Sequence, residues 1–188
     1  MVRLLYKEKE VILPENCSVE LNNKIFTFKG PLGEQNYDAS KYKFTFELDD
    51  NKILIKSWHG NKKKNSLLNT LSSHLLNNAN GVVKGFKYTL RTVYKHFPIQ
   101  LVIEENGKAV TVKNFLGAKV PRSFKLIGSA IASQGETKDF IEISGINLEH
   151  VSQSAANLID DCQRRKNNDS RIFLDGIYKI NKGVIKSE

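Results

Sequence analysis

The chain of 188 residues can form one large domain or two small ones, and 40% hydrophobic with 26% charged residues supplies a core, which excludes wholesale disorder and collagen-like or low-complexity classes. No apolar run approaches the roughly 18 residues of a membrane span, and the opening Met1-Val2-Arg3-Leu4-Leu5-Tyr6-Lys7-Glu8-Lys9-Glu10 is too charged for an export signal, so a soluble, unexported protein is expected. Lys and Arg number 29 against 20 Asp and Glu, and the resulting net charge of +9 favours polyanionic partners.

In chain order, Val19 and Leu21, then Ile25, Phe26 and Phe28, form two short apolar runs around Asn22-Asn23-Lys24, the pattern of a hairpin. Gly30-Pro31-Leu32-Gly33 fits the G-x-x-G loop of one RNA-binding module. That loop joins two helices, whereas this one follows a strand pattern and reads as a turn. Further strands are expected at Phe44–Leu48 and Ile53–Ile55. Lys62-Lys63-Lys64 then precedes a helical stripe of Leu67, Leu68, Leu71 and Leu75. Cations are disfavoured at a helix N-terminus, so this run is either a phosphate contact or a solvated face. The second half repeats the order: Leu101-Val102-Ile103 and Val110, Val112 around Asn106-Gly107-Lys108, the loop Asn114-Phe115-Leu116-Gly117, and strands at 123–127 and 140–143. It closes on a helix bearing Leu148, Val151, Ala155, Leu158, Ile159 and Cys162.

The halves are copies. Residues 14–33 laid over 98–117, an offset of 84, pair Pro14/Pro98, Glu20/Glu104, Asn22/Asn106, Lys24/Lys108, Thr27/Thr111, Lys29/Lys113, Leu32/Leu116 and Gly33/Gly117. Chance supplies roughly one or two such matches, so the reading is a duplicated supersecondary unit. The expected class is α+β: two tandem repeats, residues 1–81 and 82–188, each a small, mostly antiparallel sheet packed against one amphipathic helix, the second ending in a basic tail.

Charge is uneven along the second half. Residues 84–125 carry nine basic side chains against Glu104 and Glu105, residues 126–161 are acidic, and the stretch from Cys162 onward is basic again. Phe86, Tyr88, Tyr94, His96, Phe97 and Phe115 interleave with the first cluster, rings suited either to a core or to stacking on unpaired bases. No phosphate-loop, dinucleotide, zinc-protease or nucleophile-elbow motif occurs. His59, His74, His96 and His150 are scattered, and Asp160-Asp161 project about 100 degrees apart on a helix, which is no general acid/base dyad. No enzyme, metal or cofactor is expected. Cys17 and Cys162 stand singly, as in a reducing compartment.

Arg91-Thr92-Val93-Tyr94-Lys95-His96-Phe97-Pro98-Ile99, then Glu105-Asn106-Gly107, Val112-Lys113-Asn114-Phe115-Leu116-Gly117 and Phe173-Leu174-Asp175-Gly176-Ile177-Tyr178 closely resemble the large-subunit ribosomal protein six family in its eukaryotic form, there called protein nine. Ser57-Trp58, Gly60-Asn61, Gly81-Val82, Gly85-Phe86 and Ser154-Ala155-Ala156 extend the resemblance over nearly the whole chain. It implies a duplicated, non-catalytic constituent of the large ribosomal subunit. Such a protein binds ribosomal RNA near the sarcin–ricin loop and stalk base, beside neighbouring ribosomal proteins and docking translational GTPases, mainly through its second domain. The implied location is the cytoplasmic ribosome, with nucleolar assembly in a eukaryotic source and no membrane.

Carried onto this chain, the resemblance implies RNA contacts at Lys113, Asn114, Gly117 and Lys119, at Arg171, Gly176, Tyr178 and Lys182 in the tail, and at Arg91 and His96 in the bridging motif. Lys62, Lys63, Lys64, Lys95, Arg122, Lys125 and Lys179 complete the expected RNA-binding set. The alternative is a non-ribosomal RNA- or protein-interaction module whose basic residues keep it soluble.

Overall fold

The computed structural model describes residues 6–49, 51–104, 106–163 and 174–185. They fall into two compact units, Met1–Lys84 and Gly85–Glu188.

In the first unit, β1 (Tyr6–Ile12), β5 (Thr45–Asp49) and β6 (Lys52–Trp58) form an antiparallel sheet in the order β1-β6-β5, while β2 (Ser18–Asn22), β3 (Ile25–Gly30) and β4 (Gly33–Asp38) form a meander. Asn23 and Lys24 both take positive φ, 47° and 65°, the twist that a two-residue hairpin turn requires. The Gly30-Pro31-Leu32-Gly33 segment is the β3–β4 turn, with Gly30 paired to Gly33, whose φ of 137° suits glycine alone. Gly30 also lies against the end of α1 (Lys62–Val83): a Cβ there would sit 2.6 Å from the Val82 carbonyl oxygen, which accepts a 3.0 Å hydrogen bond from the Leu32 amide.

Helix α1 buries Leu68, Leu71, Leu75, Ala79 and Val82, one stripe against Phe26, Phe28, Ile53 and Ile55 of the same core. Each large side chain so buried contributes about 1.5–3 kcal/mol of transfer free energy. Leu67, read from sequence as part of that stripe, is 43% exposed, one position off the buried face. The helix starts earlier than its apolar stripe, so Lys62, Lys63 and Lys64 form its first turn, and it continues through Asn80-Gly81 to Val83.

The second unit repeats this plan with β7 (Phe86–Val93), β8 (Gln100–Ile103), β9 (Ala109–Lys113), β10 (Arg122–Lys125), β11 (Ile131–Gln134), β12 (Phe140–Gly145) and α2 (Leu148–Gln163). The meander order β10-β9-β8 mirrors β2-β3-β4, and β11-β12-β7 mirrors β5-β6-β1. The α+β duplication read from the offset of 84 is therefore a duplication of topology as well as of residues. Among the described residues one element has no counterpart: β13 (Gly176–Gly183) adds a fourth strand on the other edge of β7.

Alternation along β7 and β12 sends Leu90, Ile141 and Ile143 inward, where with Val110, Val112, Ile177 and the Val151, Ala155, Leu158 and Cys162 face of α2 they form a single core. Gly107, at φ 62°, links the β8–β9 loop to β11, its carbonyl accepting from the Ala132 amide at 2.8 Å. Neither Cys17 nor Cys162 is in a disulfide, and burial pushes the Cys17 thiol upward from its ordinary pKa.

Candidate nucleic-acid interface

Most of the expected RNA-binding residues lie on the second unit, and the topology sorts them by position. At one end of its four-stranded sheet β7 exits, β12 begins and β13 begins. The bridging segment after Val93 runs across this end with Tyr94, Lys95, His96 and Phe97 all exposed. Three hydrogen bonds fix it: the Tyr94 hydroxyl with Asp139 Oδ1 at 3.5 Å, the Lys95 amide to Asp175 Oδ1 at 3.2 Å, and the Asn114 side-chain amide to the Pro98 carbonyl at 3.0 Å. The last of these attaches the β9–β10 loop. There Asn114 and Leu116 take left-handed backbone, φ 59° and 51°, around a single 3-10 turn, and Gly117, φ 73°, sits where a Cβ would be 3.2 Å from the Phe97 ring. The duplicated position in the first unit is a two-residue turn packed on a helix end. Here the chain runs on through Lys119 and Val120, both exposed, before β10 begins at Arg122.

Lys95, His96, Asn114, Gly117, Lys119, Arg91 and Tyr178 thus share this end, with Lys113 exposed at the adjoining terminus of β9. Exposed cations beside aromatic rings and a turn of left-handed backbone can neutralise phosphates and bring main-chain amides close to ribose.

Other residues are placed differently. The Arg122 guanidinium donates to the Asp161 carbonyl of α2 at 2.8 Å and lies 5.7 Å from the Phe115 ring centroid, tying β10 to the helix. Its first task is structural. Lys125 pairs with Ala109, four residues from Lys113 along β9, so these two cations stand at opposite ends of one face, roughly 13 Å apart along the strand. Lys179 and Lys182 point to the opposite face from Tyr178: both ammonium groups lie 6.0 Å from the centroid of Tyr88. Gly176 is buried beneath the Tyr178 ring. Arg171 lies outside the described residues.

On the first unit, Lys62 and Lys63 are exposed, whereas the Lys64 ammonium donates to the Trp58 carbonyl at 2.9 Å and lies 5.8 Å from the Phe44 ring. Among the described residues no cluster of three or more His, Cys, Asp or Glu could hold a metal ion. No helix among the described residues is long and apolar enough to cross a membrane.

Phe140 escaped the sequence reading. It opens the strand expected at 140–143 and lies on the outer face of β12, opposite Arg91 in register, with the guanidinium 5.5 Å from its ring centroid. Only the strand pairing could reveal that neighbour.

A family model described as Ribosomal protein L6 matches residues 13–85. Similar curated proteins include the large ribosomal subunit protein uL6 of Staphylothermus marinus, 36% identical over 95% of this chain and 96% of that protein. Two others are uL6A of Schizosaccharomyces pombe, 36% identical over 99% and 98%, and uL6B of Saccharomyces cerevisiae, 37% identical over 98% of each. At that identity, sustained across both copies of the duplicated unit and across the tail strand, the chain belongs to the ribosomal protein L6 family.

Proposed function

We propose that this protein is a structural, non-catalytic constituent of the large ribosomal subunit, held there by ribosomal RNA bound chiefly through the second unit. The single observation that carries the reading is the full-length similarity to large ribosomal subunit proteins. Its support from the fold is the gathering of Arg91, Lys95, His96, Lys113, Asn114, Gly117 and Lys119 at one end of the second unit, next to exposed Tyr94, Phe97 and Tyr178. Two compact units holding preset loops against folded RNA read its shape more than its sequence. On this reading the RNA site lies near the sarcin–ricin loop and stalk base, with neighbouring ribosomal proteins alongside and translational GTPases docking close by, and assembly is nucleolar if the source is eukaryotic.

The test is sedimentation of a lysate, with subunits split by magnesium chelation, probed with an antibody to this chain. Signal that follows the large subunit through a high-salt wash is the expected result. Signal at the top of the gradient would refute the reading.

A further inference from the structure

The geometry points to a stacking platform on the second unit: the outer face of β12, β7 and β13, formed by Phe140, Arg91 and Tyr178, receives an unpaired nucleobase of the bound RNA. This deepens the RNA-binding reading above and rests on it.

Register builds the platform. Tyr178 lies opposite Arg91, and Arg91 opposite Phe140. Directly paired residues project from the same face of a sheet, and strands are about 4.8 Å apart, so the three side chains leave one face from points that span roughly 10 Å across the strands. The neighbouring Leu90, Ile141 and Ile177 point the other way into the core, which turns this face away from α2.

Each member is held in place. The Tyr178 ring lies back along its own strand over Gly176, where a Cβ would meet ring carbons at 3.5 and 3.8 Å, and its hydroxyl donates to the Leu174 carbonyl at 2.9 Å. One face of the ring therefore rests on bare backbone while 37% of the residue stays exposed. Arg91 is exposed and packs over Phe140, and among the described residues no carboxylate forms an ion pair with it. The one carboxylate of these strands on the same face, Glu142, is engaged by Lys87 at 3.1 Å.

Two rings and a guanidinium on one face, held before any ligand arrives and, among the described residues, without an ion pair, match a base in two respects. They offer π faces to stack on, and a cation beside them for the attached phosphate. A duplex shows only groove edges and backbone, so the ligand is a base that has left its helix.

The test uses the full-length protein and single-stranded oligoadenylate carrying 2-aminopurine, whose fluorescence reports stacking, alongside a ribosomal RNA fragment containing the sarcin–ricin hairpin. Phe140→Leu and Tyr178→Leu should each weaken oligoadenylate binding roughly tenfold, within the range for losing one base–aromatic stack. Tyr178→Phe, which keeps the ring and loses only the hydroxyl anchor on Leu174, should lose less affinity than Tyr178→Leu. Arg91→Lys keeps the charge but not the plane, and should lose affinity several-fold with an unchanged salt slope. Thermal melts confirm folding, and Phe140→Leu leaves the Tyr178 anchor intact should that variant misfold. Unchanged affinity and 2-aminopurine signal in folded leucine variants, with tight salt-dependent binding of the fragment, would overturn the platform and leave the RNA reading standing. Variants that keep RNA affinity but lose association with ribosomal proteins would overturn it in favour of a protein contact. A wild type that binds neither RNA would remove both readings.

Discussion

Gly30→Ala should destabilise the first unit without touching the second. The added methyl would stand 2.6 Å from the Val82 carbonyl oxygen, 2.9 Å from its carbon and 3.0 Å from its Cβ. Two of those atoms are backbone at the end of α1, so no rotamer change relieves the clash. Either the β3–β4 turn lifts or the last helical turn retreats, and both lengthen the Leu32 amide to Val82 carbonyl hydrogen bond, now 3.0 Å. Overpacking costs about 1–3 kcal/mol and a lost hydrogen bond about 0.5–1.5, so the expected loss is about 2–4 kcal/mol. For a unit of this size each kcal/mol lowers the melting temperature by about 4–8 °C, giving a fall of roughly 10–30 °C. Trp58, the one tryptophan of the chain, lies in β6 of this unit, so its fluorescence follows the relevant transition alone. Gly183→Ala is the control by circular dichroism, since a Cβ there meets nothing nearer than the Lys87 carbonyl oxygen at 4.0 Å. A Gly30→Ala protein whose Trp58 transition moves by less than about 2 °C would refute the packing argument.

Arg122→Ala should lower the stability of the second unit by about 1–2 kcal/mol in chemical denaturation, because it removes the hydrogen bond that ties β10 to α2, while RNA affinity falls less than for Lys119→Ala. The reverse ranking would make Arg122 an RNA contact first. Full-length protein titrated with ribosomal RNA should show a log–log salt slope of about −3.5 to −4.5 if about five cations meet phosphate, and a flat response would contradict that interface. The Asp38 carboxyl is held below the ordinary carboxylate range by hydrogen bonds from the Ser40 hydroxyl and amide. Its contribution is therefore present above the unfolded value of about 4 and lost as pH falls through the folded one. The melting difference between wild type and Asp38→Asn should hold steady near neutrality and shrink in acid; a difference constant down to acid would show that Asp38 titrates as in the unfolded chain.

Apolar periodicity made both helices and both central hairpins legible, because those elements bury one face and carry its rhythm, and residue identities at an offset of 84 made the duplication legible. β1 escaped the sequence reading: Lys7-Glu8-Lys9-Glu10 has no apolar alternation, and the strand forms because β6 offers its edge, with Val11 the residue that reaches the core. β4 is missed likewise, since Glu34, Gln35 and Asn36 belong to a strand held by pairing with β3. Of the candidate site, the left-handed turn at Asn114–Gly117 and the exposed bridging segment follow from residue types that sequence shows. Arg122 and Phe140 do not, because a helix carbonyl and a strand register, both distant in sequence, decide what each side chain meets.

The added strand β13 gives the two copies different histories during synthesis. The described strands and helix of the first unit all lie between Tyr6 and Val83, so they can close once those residues have emerged. β7, by contrast, opens the second unit, yet one of its edges waits for β13, some ninety residues later, a pairing with a high loop-closure cost and hence a slow one. Tyr178 arrives with that strand. A nascent chain cut short before Gly176 would carry a finished first unit and a second unit whose sheet still lacks its fourth strand.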